Sequence, residues 1–311
     1  MYKSHKEENK SEECIYLCNY RYKILSVLGI GGFSKVFKAK DLKSHIYVAV
    51  KKMDFSKKVF RGTQSVKLKN KMKKIIEKEA HILQCLNHIN IIKFLNYYAD
   101  KEDAYLVLEY AAGGELFDII ASKGSLSEHD AAFILIQLLR AVEYLHTNGF
   151  IHRDIKLENL LLETHNIKSV LKLCDFGISR GMKDILFTNC GTLDYSAPEL
   201  IKNKDYLSGY NKMVDNWSVG VSGYIMLCGY CPFYSETGNQ NEVKKQILEC
   251  DYKFHSPKWD NISKQAKTFI SGFLEFDPRN RMSITSGINS EWITKNCVFL
   301  STEESFNTNI S

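Results

Sequence analysis

The chain has 311 residues, 44% of them hydrophobic and 25% charged. That length gives two domains, or one two-lobed domain, with a sizeable core, and the composition excludes a wholly disordered, collagenous or coiled-coil chain. The net charge is +6 at pH 7. No apolar leader follows Met1, and Tyr2 excludes N-myristoylation. The longest apolar stretch, Val219 to Tyr230, is too short to span a bilayer and reads as a buried helix. Nine cysteines without regular spacing read as reduced thiols in a cytoplasmic or nuclear protein. Cys14 and Cys18 lack a second pair at metal-site spacing.

Residues 1–19 are polar and without periodicity, and read as a mobile extension. From Tyr20 the pattern changes. Tyr22 to Gly29 is a strand-like run ending in glycines, and Val36 to Lys40 and Tyr47 to Lys51 continue a meander. Lys69 to Leu86 has a helical period through Met72, Ile75, Ile76, Ala80, Leu83 and Leu86. Ile91 to Phe94 and Tyr105 to Tyr110 read as two more strands. Residues 20–110 therefore form a small, mostly antiparallel β unit with one main helix. Eleven Lys/Arg between Lys51 and Lys78 read as a solvated face, with a docking patch for an acidic partner as the alternative.

After Gly113-Gly114 the chain turns helical. Ser127 caps a helix that runs from Ala131 to His146 and stops at Gly149. Residues 150–200 are loop-rich, with short β runs around Leu160 and Leu171. Helices return over 210–296, punctuated by Pro232, Pro257 and Pro278. The predicted fold class is α+β: a small β lobe (20–110), a larger helical lobe (111–296) and a tail (297–311).

Gly29-Ile-Gly31-Gly32-Phe33-Ser34 lies between two strands, which suits a hairpin folding over phosphates, although as an isolated signal it favours a plain turn. Lys51 ends a strand and offers a point charge to a nucleotide phosphate, with Glu79 as its candidate anionic partner. His152-Arg153-Asp154-Ile155-Lys156-Leu157-Glu158-Asn159 is the strongest signal. Asp154 can accept a proton, Lys156 can neutralise a transferring phosphoryl group, and Asn159 can ligate a metal through its amide oxygen. Asp175-Phe176-Gly177 supplies a carboxylate for Mg²⁺, and Ala197-Pro198-Glu199 closes the segment.

These motifs, in this order, resemble a eukaryotic protein kinase over roughly residues 20–296. The resemblance implies a bilobal kinase fold that uses ATP and Mg²⁺. Leu28, Gly29, Gly31, Gly32, Val36 and Ala49 would line the nucleotide site, with Leu108, Leu161 and the backbones of Glu109 and Ala111. Lys51 would pair with Glu79. Asp154 would be the catalytic base, Lys156 would stabilise the transferred group, and Asn159 and Asp175 would hold Mg²⁺. Leu83, Phe94, His152 and Phe176 would form a stacked spine. Lys156 and the Gly191-Thr192-x-x-Tyr195 stretch resemble Ser/Thr rather than tyrosine kinases. Asp215 would hold the catalytic-loop backbone, and Arg281 would pair with Glu199.

Gly113 to Asp118, Cys228 to Phe233 and Glu291-Trp292-Ile293 look like the calcium/calmodulin-dependent kinase group, and Gly209 to Trp217 is similar to checkpoint kinase 2. Leu157 stands where the family usually has proline, and the usual His-Pro before Trp292 is absent. Thr188 falls where similar kinases are activated by phosphorylation, by an upstream kinase or by self in trans, with Arg153 and Arg180 as phosphate partners. Glu115 and Glu158 occupy positions that face substrate arginines in relatives, so substrates with basic residues upstream of Ser/Thr are expected. Glu115 also borders the nucleotide site, and Cys174 would be a packing thiol at its back. No EF-hand loop appears, and about fifteen residues after Asn296 leave little room for a calmodulin-binding helix. Neither a nucleic acid nor a membrane partner is expected. A scaffold without turnover and a nucleic-acid-binding module are the rival readings.

Overall fold

The computed structural model describes residues 16–18, 20–31, 34–55, 63–100, 102–177, 179–181, 193–202 and 212–297. Two compact units divide it. The first takes the chain through Lys73 together with Phe94–Tyr110; the second takes Lys74–Lys93 and the chain from Ala111.

The first unit is a six-stranded antiparallel sheet. Its strands are β1 (Tyr16–Leu17), β2 (Tyr22–Ile30), β3 (Ser34–Asp41), β4 (Tyr47–Asp54), β5 (Phe94–Ala99) and β6 (Asp103–Glu109), in the order β1-β2-β3-β4-β6-β5. Alternation sends Val48 and Val50 of β4 into a core with Tyr22, Ala39, Tyr105 and Val107. Two readings change here. Tyr16–Leu17, expected in the extension, pair with β2, because Leu17 joins that core. Arg21 then ties the corner, donating to both oxygens of Asp41 and to the Tyr98 hydroxyl. The strand expected at Ile91 to Phe94 lies further on, at Phe94–Ala99. Ile91 makes only an isolated parallel bridge to Leu173 of the second unit. Its burial, not a ladder, explains the apolar run.

Helix α1 (Thr63–Gln84) begins before the predicted stretch of Lys69 to Leu86 and ends at Gln84, short of Leu86, which is buried beyond the helix end. The second unit is mainly helical, with α2 (Leu116–Lys123), α3 (Glu128–Thr147), α4 (Pro198–Ile201), α5 (Met213–Cys228), α6 (Gln240–Glu249), α7 (Lys264–Phe273), α8 (Ile284–Ile288) and α9 (Glu291–Asn296). Two small sheets hold the loops: β7 (Gly114–Glu115) with β9 (Leu160–Leu162) and β10 (Leu171–Leu173), and β8 (Phe150–Ile151) with β11 (Arg180–Gly181). Ser127 Oγ accepts the Asp130 N–H and caps α3, as its position predicts. Glu128 then anchors the far end of the unit, accepting from Ser263 and from Trp292 Nε1.

Every residue of α5 is buried, so the long apolar run is an interior helix. No helix of the described residues is long and apolar enough to cross a membrane. Helix α5 packs closely on α7 because Gly220 lacks a side chain; a Cβ there would stand 2.7 Å from Phe273 Cβ. It ends at Gly229, whose φ of 86° is strained for any residue with a side chain.

Arg281 locks the end of this arrangement. Its guanidinium makes a bidentate pair with Glu199, at 2.7 and 3.0 Å, and donates to the carbonyls of Met213 and Glu275. The side chain is fully buried. Lysine has no planar fork and would leave buried acceptors unmet. Arg281→Lys should therefore cost roughly 3 kcal/mol. Thermal unfolding checks this: Tm should fall by about 5 °C or more, and an unchanged Tm would show that the pair adds little.

Candidate active site

In the first unit the sheet register brings the predicted nucleotide residues onto neighbouring strands. Lys51 lies opposite Val36 on one side and Leu106 on the other. Ala49, two residues earlier and on the same face, lies opposite Leu108. Val48 lies opposite Glu109, and Gly29 opposite Val36. The Gly31 N–H closes the β2–β3 turn by donating to Ser34 O at 2.8 Å. No atom lies within 4 Å of a Cβ built on Gly29, so that backbone is open to a close approach. Leu28 is exposed and Val36, Ala49 and Lys51 are half-buried. Gly32 lies outside the described residues. Phe94, predicted for the spine, starts β5 opposite Leu108.

In the second unit Glu79 and Leu83 are buried on α1, and Ala111 is half-buried. Glu115 of β7 lies opposite Leu161 of β9. The loop between β8 and β9 carries the polar cluster. Asn159 Nδ2 donates to Asp154 O at 2.7 Å and to Asp154 Oδ2 at 3.0 Å. Lys156 Nζ stands 3.1 Å from the same Oδ2. Asp154, Lys156 and Asn159 therefore converge on one carboxylate.

A second carboxylate holds the loop from beneath. Asp215, fully buried on α5, accepts from the backbone N–H of His152 at 2.9 Å and of Arg153 at 2.7 Å. His146 Nε2 lies 2.9 Å from its Oδ2 and donates to it. Burial pushes the Asp215 pKa up, but these donors outweigh it and hold the carboxyl below its usual range. The backbone of Arg153 is left-handed, at φ 71°, an uncommon and costly conformation for a residue with a side chain. Asp215 compensates that strain.

His152 joins the loop to the second metal candidate. Its Nε2 donates to Cys174 O at 3.1 Å, and its Nδ1 accepts the Asp154 N–H at 3.3 Å. This pattern requires a neutral imidazole. Burial supplies it, holding the His152 pKa below normal. The ring packs edge-on against Phe176, 4.7 Å between centroids. Next door, Asp175 is exposed and also left-handed, at φ 62°. Its Oδ1 accepts the Gly177 N–H at 3.3 Å. A Cβ on Gly177 would meet Asp175 Oδ1 at 3.2 Å and Glu79 Oε2 at 3.6 Å, so the Glu79 carboxylate borders this turn.

Strand β11 carries Arg180 alongside β8, the strand that leads into Arg153. Arg180 pairs with Ile151, two residues before Arg153. Thr188, their predicted phosphate source, lies outside the described residues. Around Glu115 the charge is acidic. Burial, then Asp118 and Glu158, raise its pKa, and Lys156 opposes them. Glu158 Oε2 is buried without a hydrogen-bond partner among the described residues. Asp194, half-buried, has its pKa raised by burial.

The sequence did not single out two of these groups. His146 sits 69 residues from Asp215, and no spacing rule links them. Asp194 lies in the segment read only for its kinase-class signature, and its half-burial is a tertiary fact.

A protein kinase domain model matches residues 22–293. Calcium/calmodulin-dependent protein kinase type 1 of Caenorhabditis elegans is 40% identical over 282 residues, covering 90% of this chain and 76% of that protein. The human type 1B protein is 40% identical over 279 residues, covering 89% of this chain and 76% of its own. The protein from Macrobrachium nipponense is 39% identical over 298 residues, covering 94% and 81%. The chain belongs to the protein kinase family. Within it, this is a Ser/Thr protein kinase of the calcium/calmodulin-dependent kinase group.

The Asp215 contacts give a direct prediction. In Asp215→Asn, an NH₂ group replaces one acceptor and faces an N–H donor. The loop should shift and kcat should fall about 10²-fold, with KM for ATP changed far less. Steady-state kinetics decide it: a kcat within about twofold of the parent would show that Asp215 does not orient the loop.

Proposed function

We propose that this kinase transfers the γ-phosphate of Mg·ATP to Ser/Thr hydroxyls of protein substrates carrying upstream basic residues. One observation carries the reading: Asp154, Lys156 and Asn159 meet on one carboxylate, in a loop clamped by buried Asp215. Asp154 accepts the proton of the attacking hydroxyl as its oxygen bonds to phosphorus and the bond from phosphorus to the ADP oxygen breaks. Lys156 balances charge on the transferred group. In the first unit Leu28, Gly29, Gly31, Val36, Ala49, Lys51, Leu108 and Glu109 are the candidate nucleotide residues, and in the second Ala111 and Leu161 are.

The donor set suits Mg²⁺. Asn159 spends its amide nitrogen on Asp154, which leaves the amide oxygen for a cation, and the Asp175 carboxylate is exposed. Among the described residues no three His, Cys, Asp or Glu side chains form a metal cluster of their own. Two oxygen ligands are what a cation shared with phosphates and water requires. Bound there, Mg²⁺ would neutralise phosphate charge.

Glu115, Glu158 and Asp194 support the basophilic preference. A substrate guanidinium would satisfy the partnerless oxygen of Glu158. Phosphorylation of Thr188, by an upstream kinase or by self in trans, would pair with Arg153 and Arg180 and raise activity. The seven described cysteines are free thiols, which supports a reducing setting, cytoplasmic or nuclear. The matched relatives are named as calcium/calmodulin-dependent.

Purified protein, a basic Ser/Thr peptide and Mg·ATP without calcium test the core reading. Turnover should appear and should fall about 10²–10⁴-fold in Asp154→Asn. Absent turnover with normal ATP binding would favour a scaffold. Thr188→Ala should lower kcat several-fold, and equal kcat would remove the activation step. Because the Glu115 pKa is raised, its carboxylate is lost early as pH falls. KM for the basic peptide should therefore rise at mildly acidic pH, and should not do so in Glu115→Gln. A pH-independent KM in the parent would overturn this recognition.

A further inference from the structure

The second unit holds a cavity of about 540 Å³, outside the cluster around Asp154. Its wall is made by the C-terminal half of α3, the start of α5, the start of α8 and the turn after α1. That volume is typical of a ligand pocket. Among its lining residues Arg140 and Lys212 are cationic, His88 and His146 are imidazoles, and the one acid is Glu143, which accepts the Thr285 hydroxyl at 2.7 Å. His146 is already committed to Asp215.

Three details define what the cavity can bind. His88 Nδ1 accepts the Asn90 N–H at 3.1 Å, so its proton resides on Nε2 as a donor. The His88 ring is stacked on Tyr144, 5.0 Å between centroids, which fixes its orientation. Burial, then the charges of Arg140 and Lys172, lower the His88 pKa, which keeps the ring neutral and its Nε2–H a donor.

Asn216 supplies the opposite requirement. It lies in the lining and is 2% exposed. Its Nδ2 donates to Met282 O at 2.8 Å, but its Oδ1 is buried with no partner among the described residues. An unmet buried acceptor costs about 1–3 kcal/mol. A simple inorganic anion would not satisfy it, whereas a ligand with an N–H donor beside an anionic group would. Met213 and Ile284 add apolar surface to the lining.

We propose that this cavity docks an acidic peptide segment of a partner protein. Glutamate or aspartate carboxylates would meet Arg140, Lys212 and the His88 N–H. A peptide N–H would meet Asn216 Oδ1. An aliphatic side chain would cover Met213 and Ile284. The cavity shares His146 with the Asp215 clamp, so this surface lies directly behind the catalytic loop.

The test uses the full chain and a fluorescein-labelled acetylated hexapeptide of alternating glutamate and leucine. Fluorescence anisotropy should show saturable binding that weakens as salt rises. Lys212→Glu and Arg140→Glu should each weaken it about tenfold or more. Glu143→Gln, which removes the one acid of the lining, should tighten it. The same peptide with glutamine for glutamate should bind at least tenfold more weakly. Circular dichroism of each variant guards against unfolding. The proposal is overturned by absent saturation with the parent protein at millimolar peptide. It is overturned equally if the charge reversals leave affinity unchanged, or if the glutamine peptide binds as tightly.

Discussion

A single buried carboxylate organises the second unit. Asp215 has no exposure, yet it remains the charged partner of three donors: His146 Nε2 and the N–H groups of His152 and Arg153. A carboxylate is costly in such a place unless its oxygens are bonded. Here both oxygens are bonded, and two of the donors are backbone groups of the catalytic loop. The energy that keeps Asp215 ionised is the same energy that fixes the loop. Release of the loop would strip this buried charge of two of its three donors, so the left-handed turn at Arg153 persists despite its strain.

The rest of the unit holds Asp215 in place. It sits in the first turn of α5, which is buried along its whole length. Arg281 joins Met213, just before Asp215, to Glu199 and to the segment after α7. Ser218, one turn further along α5, donates to Tyr195 O. The helix thus bonds the catalytic loop, the segment around Ala197-Pro198-Glu199 and the C-terminal helices. From the clamped loop the chain of contacts continues outward. His152 bonds the carbonyl before Asp175, and Asn159 O accepts the Cys174 N–H. The proton-accepting candidate and the metal-binding candidate are therefore positioned by one short network.

Local chemistry was legible in the sequence, and long-range contact was not. Asp154, Lys156 and Asn159 share one loop, so their order already implied their convergence. Ser127 as a cap and Gly149 beyond the helix end are likewise local rules. Tyr16–Leu17 were hidden because two residues carry no periodicity; only pairing with β2 reveals the strand. Strand β5 was displaced because Ile91 and Ile92 are apolar for a different reason. They are buried next to β10, where Ile92 N–H donates to Leu173 O. Asn96 and Tyr98 disguise the true strand, since their polar atoms serve the network around Arg21. Asp215 and Arg281 were foreseen through the family resemblance. His146 was not, although it completes the same carboxylate.

Hydrogen exchange at single-residue resolution tests the clamp most directly. The amides of His152 and Arg153 lie in a loop, where ordinary exposure predicts fast exchange. If Asp215 holds them, they exchange as slowly as the interior amides of α5. In Asp215→Ala they should become fast while α3 and α7 stay protected. Slow exchange that survives the substitution, or fast exchange in the parent, would contradict the claim that this carboxylate fixes the catalytic loop.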